Sequence, residues 1–343
     1  MSRRKTGRIT IRDIAQRTGL SPITVSRALR GDAEVRPDTR ARVEGEAERS
    51  GYVPNLVAVA LASNRSRVVG VVIPTLLDSI FASTVEGISR VLRRHNYQFI
   101  LGSSGYHQAD EEQFVRTFLR RRVDGLILPA LGHNHITRSL IEKSRLPVVE
   151  IGNLPHDPIA CVVGFSNERA SYAATEHLIA SGRRRLAYVG GLGGDNANGR
   201  DRLAGFRSCL ATYGLPVDER LILVVDYTPH AVIPAIDRLA AALGEFDGLV
   251  VGGELWNPIV ALEFARRRIA VPEAVAMIGL GDVEHAEFLP TPLTTIIFPR
   301  ERCGELAAEL IIARCEGDTA MQRAWDLGFE LRVRASSRVT GAP

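Results

Sequence analysis

Two hydrophobic patterns divide the chain near residue 67. Before it, apolar residues recur at helical spacing within short polar segments; after it, apolar runs of strand length alternate with amphipathic helical segments. This alternation predicts parallel sheets with helices on both faces. The predicted strands are 68–73, 98–101, 125–129, 148–151, 186–189, 221–225, 248–251 and 276–279. The predicted helices between them are 81–94, 111–121, 170–181, 203–213, 232–243, 258–268 and 302–316.

The number of predicted strand–helix units is too large for a single sheet. The pattern favours two doubly wound parallel-sheet subdomains with a crevice between them, the usual place for a small ligand in such folds. The predicted fold is therefore an all-α head followed by an α/β domain of two subdomains.

The head begins with two short helices separated by a tight turn. Residues 13–15 begin the first helix, Gly19 supplies the positive φ of a sharp stop, Ser21 is an N-cap and Pro22 occupies the first helical position. The residues expected to pack the helices together are Ile14, Ala15, Val25, Ala28 and Leu29. The residues left facing outward are Pro22, Ile23, Thr24, Ser26, Arg27 and Arg30. Such a surface is typical of a helix-turn-helix in a DNA major groove, although any helical hairpin shares part of the pattern.

Charge separates the head from the rest of the chain. Residues 1–67 carry a net charge of +7, whereas the remaining 276 residues sum to −3. A third, charged helix is predicted over 39–50, a short helix over 56–62 and a polar linker over 63–66. A basic head with helical periodicity indicates a polyanion partner more strongly than a solvated basic tail.

Other features exclude several classes of protein. The chain lacks a run of 18 apolar residues and a secretory signal, so we expect a cytoplasmic protein. Its four cysteines are scattered and predict reduced thiols, without a metal or cofactor. His133 and His135 are assigned to a polar loop, and residues 190–194 to a loop that lacks a nucleotide-binding motif. The chain also lacks the G-x-S-x-G and H-E-x-x-H motifs, and we expect no enzymatic activity.

Collinear motifs give the chain a resemblance to the lac repressor family of bacterial transcription regulators. They are Thr10-Ile11-x-Asp13-Ile14-Ala15, Gly19-x-Ser21-x-x-Thr24-Val25-Ser26-Arg27, Gly51-Tyr52-x-Pro54-Asn55, Val69-Gly70-Val71, Val123-Asp124-Gly125-Leu126-Ile127, Phe246-Asp247-Gly248 and Pro292-Leu293-Thr294-Thr295-Ile296. Each motif is short, but their order along the whole chain is specific.

The resemblance implies a set of DNA contacts. Phosphate contacts fall on Ser21, Thr24, Ser26, Thr39 and Tyr52, and base-edge contacts on Pro22, Ile23 and Arg27. Thr10 is a further DNA-binding residue. Arg30 binds phosphate or guanine, or is a solvated cation at the helix end. Residues 55–62 resemble the family's hinge helix, which contacts DNA through Asn55, Ala58 and the minor-groove wedge Leu61. So short a helix is expected to form only on DNA and beside its dimer mate.

The larger domain resembles the family's effector domain, itself similar to periplasmic sugar-binding proteins. Among subfamilies the gluconate-type repressors look most alike, through Phe81, Gly164-Phe165-x-Asn167, Pro299-Arg300-Glu301-Arg302 and Asp326-Leu327-Gly328-Phe329. The resemblance places effector contacts on Phe81, Glu150, Phe165, Arg202, Glu254 and Asp282. Many family members carry Asn-Asp in place of Gly253-Glu254, and an Asp in place of Gly281. Loss of these groups favours an anionic or atypical ligand over a neutral sugar.

Together these observations predict a homodimeric repressor that binds a pseudo-palindromic operator under the control of a sugar acid such as gluconate. The expected segments are a head over 1–54, a hinge and linker over 55–66, and an effector domain over 67–343. Within that domain, one subdomain comprises about 67–165 with 298–330 and the other 166–297. Two alternatives remain open: a corepressor-type or non-sugar-acid ligand, or a sugar-binding protein without regulatory DNA binding.

Overall fold

The chain forms two compact units, residues 1–66 and 67–343, in a computed structural model. The structure describes residues 9–53, 65–76, 79–191, 196–282, 285–318 and 322–338. The predicted hinge helix, 55–62, lies outside the described residues.

The smaller unit, the head, holds the helices α1 (Ile11–Thr18), α2 (Pro22–Leu29) and α3 (Pro37–Ser50). Gly19 ends α1 with a φ of 67°, and the Ser21 hydroxyl caps α2 by accepting a hydrogen bond from the Thr24 amide, as predicted. Helix α1 begins two residues earlier than expected, because Thr10 and Asp13 form a reciprocal capping box.

The head's core confirms the predicted packing of α1 on α2. Its fully buried members are Ile14, Val25, Ala28 and Val43, and Leu29 packs against them from the rim. Val43 comes from α3, so all three helices share the core. The outward residues of α2 are thereby held on a rigid surface.

The larger unit contains two sheets, each the centre of one lobe. The first lobe's strands are β1 (Val68–Ile73), β2 (Gln98–Ser103), β3 (Gly125–Pro129), β4 (Val148–Gly152), β5 (Cys161–Gly164) and β11 (Ala324–Asp326). They pair in parallel, in the order β11-β5-β4-β3-β1-β2. The helices of this lobe are α4 (Ser79–Arg94), α5 (Gln108–Arg120), α6 (His135–Ser144) and α11 (Arg300–Cys315).

The second lobe repeats this design around its own sheet. Its strands are β6 (Leu186–Gly191), β7 (Ile222–Val225), β8 (Gly248–Val251), β9 (Ala276–Leu280), β10 (Thr294–Ile297) and β12 (Glu330–Arg332), in the order β12-β10-β9-β8-β6-β7. The β10–β12 pair is antiparallel and the others are parallel. The helices of this lobe are α7 (Asn167–Ala180), α8 (Ala197–Thr212), α9 (Ile233–Ala241) and α10 (Asn257–Arg266), with 3₁₀ turns at Glu219–Leu221, Pro229–Val232 and Ala335–Ser337.

Each sheet is covered by apolar clusters on both faces, which explains the continuous apolar runs. The central strands β3 and β8 are buried along their whole length. The doubly wound prediction is therefore confirmed for both lobes. The chain crosses between the lobes after Gly164, after Ile297 and after Asp326, so strand ends of both sheets face a common cleft.

Several elements differ from the sequence-based expectation. The strands β5, β10, β11 and β12 were not predicted, because runs of three or four residues carry too little periodicity to separate them from loops. The polar-loop assignment of His135 is wrong, since His135 begins α6 and the Asn134 side chain caps that helix. A polar first turn masked the apolar positions Leu140 and Ile141, which pack on the first lobe's core.

Candidate functional site

The exposed surface of α2 presents the predicted base-reading residues. Ile23 is 72% exposed, the largest apolar exposure on this helix, and Pro22 and Arg27 are exposed beside it. An exposed isoleucine on a rigid head has an apolar surface available for a thymine methyl. The hydroxyls of Ser21 and Thr24 lie 2.9 Å apart at the helix start, which is also the end that favours anions.

Arg27 is held by carboxylates of its own head. Its Nε lies 3.2 Å from Asp32 Oδ2, and its Nη2 lies 3.0 Å from Glu34 Oε2. These acceptors occupy the same donors that would contact a guanine. The predicted base contact of Arg27 would therefore compete with two internal ion pairs.

The other predicted DNA contacts differ in their exposure and in their hydrogen bonds. Thr10 uses its hydroxyl within the α1 capping box, and Ser26, Thr39 and Tyr52 are half-buried. Burial against the head core raises the pKa of the Tyr52 phenol, so the hydroxyl stays protonated and able to donate. Arg30 is exposed at the end of α2. The hinge contacts Asn55, Ala58 and Leu61 lie outside the described residues.

A small cavity of about 20 Å³ lies in the cleft between the two lobes. Its walls combine cationic, amide and aromatic groups from both lobes. The lining residues are Phe81, Tyr106 and Arg300 from the first lobe, and Gly191, Asn196, Asn198, Gly199, Arg202, Tyr227, Gly252, Glu254 and Trp256 from the second. This space holds about one water molecule, so a larger ligand requires the lobes to move apart.

Two buried charges and one half-buried charge form the centre of this site, and we call Arg202, Glu254 and Arg300 the charge cluster. The Glu254 carboxylate accepts from Arg202 Nη1 at 3.1 Å and Nη2 at 3.2 Å, and also from Arg300 Nη2. Glu254 is only 3% exposed. Burial alone would raise its pKa, but the two guanidiniums lower it, so Glu254 is ionised and the charge cluster carries a net charge of +1.

Aromatic rings hold the guanidinium of Arg300. Its central carbon lies 5.2 Å from the ring centre of Phe298, 5.4 Å from that of Phe165 and 5.9 Å from that of Phe81. Phe165 and Phe298 are themselves stacked at 4.2 Å. This packing fixes the plane of the guanidinium at the cavity wall.

Gly281 provides the space that Glu254 occupies. A β-carbon at position 281 would overlap the Glu254 side chain, and Gly281 has a φ of +88°. Any side chain at position 281 is therefore incompatible with this placement of Glu254. The glycine at 281 thus makes room for the glutamate at 254.

An amide network extends the charge cluster to the crossover between the lobes. Arg202 Nε donates to Asn167 Oδ1 at 2.7 Å, and Asn167 Nδ2 donates to Asn153 and Asn198 at 3.1 and 3.2 Å. Asn153, in the first lobe, donates to Asp201 in the second at 2.5 Å. The site is therefore connected mechanically to both lobes.

Aromatic rings also meet across the cleft. Tyr106 of the first lobe lies 5.0 Å from Tyr227 of the second, measured between ring centres, and Tyr227 contacts Trp256 edge-on at the same distance. The cavity is thus closed between an aromatic wall and the charge cluster.

Family models match both units of the chain. Residues 10–55 match the model described as bacterial regulatory proteins of the lacI family, and residues 66–325 match the periplasmic binding proteins and sugar binding domain of the LacI family. The chain belongs to the LacI family. It is therefore a DNA-binding transcriptional regulator rather than an enzyme.

Regulators named GntR are among the similar proteins. The chain is 36% identical to the HTH-type transcriptional regulator GntR of Pseudomonas aeruginosa, over 97% of each chain. A LacI family regulator from Silicibacter pomeroyi matches 96% of this chain and 100% of its own, with a TM-score of 0.87 and 29% identity. The regulator GntR from Chromobacterium violaceum covers 79% of this chain and 99% of its own, with a TM-score of 0.74 and 32% identity.

The structure brings three predicted effector residues together and separates three others. Phe81, Arg202 and Glu254 line the cavity, whereas Phe165 lies behind Arg300 in the ring stack. The remaining two, Glu150 and Asp282, do not line it.

Protein groups engage both of these carboxylates. Asp282 accepts from Arg334 Nη1 and Nη2 at 3.0 Å each, and from the Thr295 hydroxyl at 2.8 Å. Glu150 accepts from the Ile159 amide at 2.5 Å and contacts His133 at 3.1 Å. Their sequence positions at strand ends were suitable, but both carboxylates are used within their own lobes.

His133 is a buried residue rather than a solvated loop residue. Its ring is about 1% exposed, with Nδ1 2.6 Å from Glu111 Oε1 and Nε2 3.1 Å from Glu150 Oε1. Burial alone lowers the pKa of His133, but the two carboxylates outweigh it and raise the pKa to about 9. The imidazolium thus fastens the loop after β3 to α5 and β4.

Sequence reasoning missed several cavity residues, chiefly Arg300, Tyr106, Tyr227, Asn196 and Asn198. Arg300 belonged to a quoted family motif, and its position directly after a lobe crossover was the available signal. The tyrosines follow the ends of β2 and β7, where ligand sites of parallel sheets are found.

In the described ranges, no helix is long and apolar enough to cross a membrane. Nor do those ranges contain a group of three histidine, cysteine or acidic side chains arranged for a metal ion.

Proposed function

We propose that this regulator is a repressor whose operator affinity is controlled by a sugar acid such as gluconate bound between the lobes. It acts in the cytoplasm as a homodimer, with its two heads on the half-sites of a pseudo-palindromic operator. The single observation that carries the ligand class is the net +1 charge of the buried charge cluster in the cavity. A carboxylate neutralises that charge, whereas a neutral sugar leaves it uncompensated.

The domain roles follow the proposed segments. Residues 1–54 dock on the major groove, 55–66 open the minor groove as hinge and linker, and 67–343 bind effector and dimerise. The two effector subdomains, predicted as about 67–165 with 298–330 and as 166–297, are proposed to be the two lobes, with β12 at Glu330–Arg332 belonging to the second. A ligand that changes the angle between them changes the separation of the two hinges in the dimer.

Induction requires differential binding to the two states of the repressor. An effector that favours the DNA-free state by about 1–3 kcal/mol lowers operator affinity about 5- to 150-fold. The opposite sign describes a corepressor, the alternative within the same family. The match of residues 10–55 to the lacI regulatory model disfavours a sugar-binding protein without regulatory DNA binding.

The experiment compares gluconate with glucose, its neutral analogue, by thermal shift and by operator binding. We expect gluconate to raise the melting temperature and release the operator, and glucose to do neither. Tighter operator binding with gluconate would make it a corepressor. If gluconate and related aldonates change neither measurement, the sugar-acid proposal is wrong.

The hinge role is tested by the Leu61→Ala variant. Removal of an apolar wedge should abolish the preference for operator over random DNA while leaving effector binding intact. Retained operator specificity in this variant would contradict the proposed hinge.

A further inference from the structure

The hydrogen bonds of Arg202 leave it poorly suited to hold a ligand carboxylate. Its Nε donates to Asn167, Nη1 to the Gly252 carbonyl at 3.0 Å and to Glu254, and Nη2 to Glu254. Arg202 is only 5% exposed. All three nitrogens are thus engaged inside the protein, and the fork that would grip a carboxylate already holds Glu254.

Arg300, unlike Arg202, has hydrogen-bond donors that a ligand can take. Its Nη2 pairs with Glu254, whereas its Nε and Nη1 make no hydrogen bond to any residue that the structure describes. The guanidinium borders the cavity, and the ring stack of Phe81, Phe165 and Phe298 fixes its plane. Because the side chain is already ordered, a ligand that takes the unused donors meets a preorganised cation.

The charges of the site select the kind of anion. Arg202 and Arg300 supply two positive charges and Glu254 one negative charge within one buried cluster. One added carboxylate brings the cluster to neutrality, whereas two carboxylates exceed it by one negative charge. The cavity is therefore matched in charge to a monocarboxylate.

We propose that Arg300 is the receptor for the effector's carboxylate, that Arg202 positions Glu254, and that the site selects monocarboxylic sugar acids over neutral sugars and dicarboxylates. This inference rests on the proposed function. It also gives the site a route to regulation, since Arg300 belongs to the first lobe and its partner Glu254 to the second. A carboxylate on Arg300 acts directly on the ion pair that joins the lobes.

The experiment measures binding of three probes by calorimetry: gluconate, glucose and the dicarboxylate glucarate. Wild type should bind gluconate more tightly than either of the others. Arg300→Gln should weaken gluconate binding about 10- to 100-fold and remove its advantage over glucose. Arg300→Lys keeps the charge but loses the planar fork, so it should bind gluconate between these limits and retain the preference for the anion.

Arg302→Gln is the matched control on the same helix. Arg302 is half-exposed and pairs with Glu305 and Glu309, so its loss should leave all three affinities unchanged. The ratio of gluconate affinity to glucose affinity shows whether Arg300 binds the carboxylate or only supports the structure. A structural role alone would weaken the binding of both probes together. If Arg300→Gln does not fold, Arg300→Lys replaces it, and its gluconate-to-glucose affinity ratio should lie below that of wild type but above one.

The outcomes distinguish failure of the Arg300 assignment from failure of the sugar-acid proposal. If wild type prefers gluconate and Arg300→Gln keeps that preference, the assignment of Arg300 is wrong while the sugar-acid proposal stands. If wild type binds glucarate at least as tightly as gluconate, monocarboxylate selection is wrong. If wild type binds none of the sugar acids, the proposed effector class fails and the receptor assignment fails with it.

Discussion

Removal of the Glu254 charge tests how the ligand site is held together. In Glu254→Gln, two guanidiniums remain in a buried site without a counter-charge, and the cluster charge rises from +1 to +2. Breaking a buried ion pair by removing one partner destabilises proteins by about 3–5 kcal/mol. For a domain of this size, that corresponds to a decrease in melting temperature of about 6–20 °C.

Urea unfolding followed by tryptophan fluorescence is the assay, because the Trp256 ring borders the same cavity. We expect a lower midpoint with an unchanged slope, since the surface exposed on unfolding stays the same. Gluconate or another small anion should restore part of the loss by replacing the missing charge.

The matched control is Glu219→Gln, which breaks the exposed ion pair between Glu219 and Arg207 and should leave the midpoint nearly unchanged. An equal midpoint for Glu254→Gln and wild type would refute the view that Glu254 balances the two arginines.

Three further predictions concern other parts of the molecule. Gly281→Ala should lower the melting temperature, because its β-carbon overlaps Glu254 and its φ is positive, whereas Gly214→Ala, with a positive φ in open space, should lower it less. Glu34→Gln should tighten operator binding about 1.4- to 5-fold in anisotropy titrations, because it removes one competitor for Arg27. Because the pKa of His133 is raised above its unfolded value, the protonated imidazolium stabilises the fold, and this contribution is fully present below about pH 6.5. This stabilisation should be lost as pH rises through about 9, and His133→Gln should flatten the dependence in urea midpoints.

Each of these has a contradicting result. Equal melting temperatures for the Gly281→Ala and Gly214→Ala variants would show that Glu254 has another position available. Unchanged operator affinity in Glu34→Gln would mean that the Arg27 ion pairs do not compete with DNA. If the urea midpoint of wild type is constant between pH 6.5 and 9, or if the His133→Gln variant keeps the same dependence on pH, the His133 imidazolium does not stabilise the fold.

Local sequence signals predicted the head and most of the sheet strands. Ser21 and Pro22 specify a helix start through capping chemistry that acts within a few residues, so no tertiary information was needed. The runs at 125–129 and 248–251 are buried on both faces, and their continuous apolar character marks such strands.

The partners of buried charges could not be derived in the same way. Glu254 and Arg300 are 46 residues apart and meet only because β8 ends and α11 begins at the same cleft. Glu150 was suitably placed at a strand end, but the sequence did not indicate that His133 would take its carboxylate. Side-chain pairing across a fold depends on tertiary geometry, which periodicity does not encode.

Control of operator binding by a sugar acid in the cleft can be measured by an anisotropy titration of the operator complex with gluconate, for wild type and for Arg300→Gln. We predict that gluconate releases the operator from wild type and that Arg300→Gln stays bound at the same concentrations. If gluconate leaves the operator affinity of wild type unchanged, or releases the operator equally from both proteins, the proposed control through Arg300 is wrong.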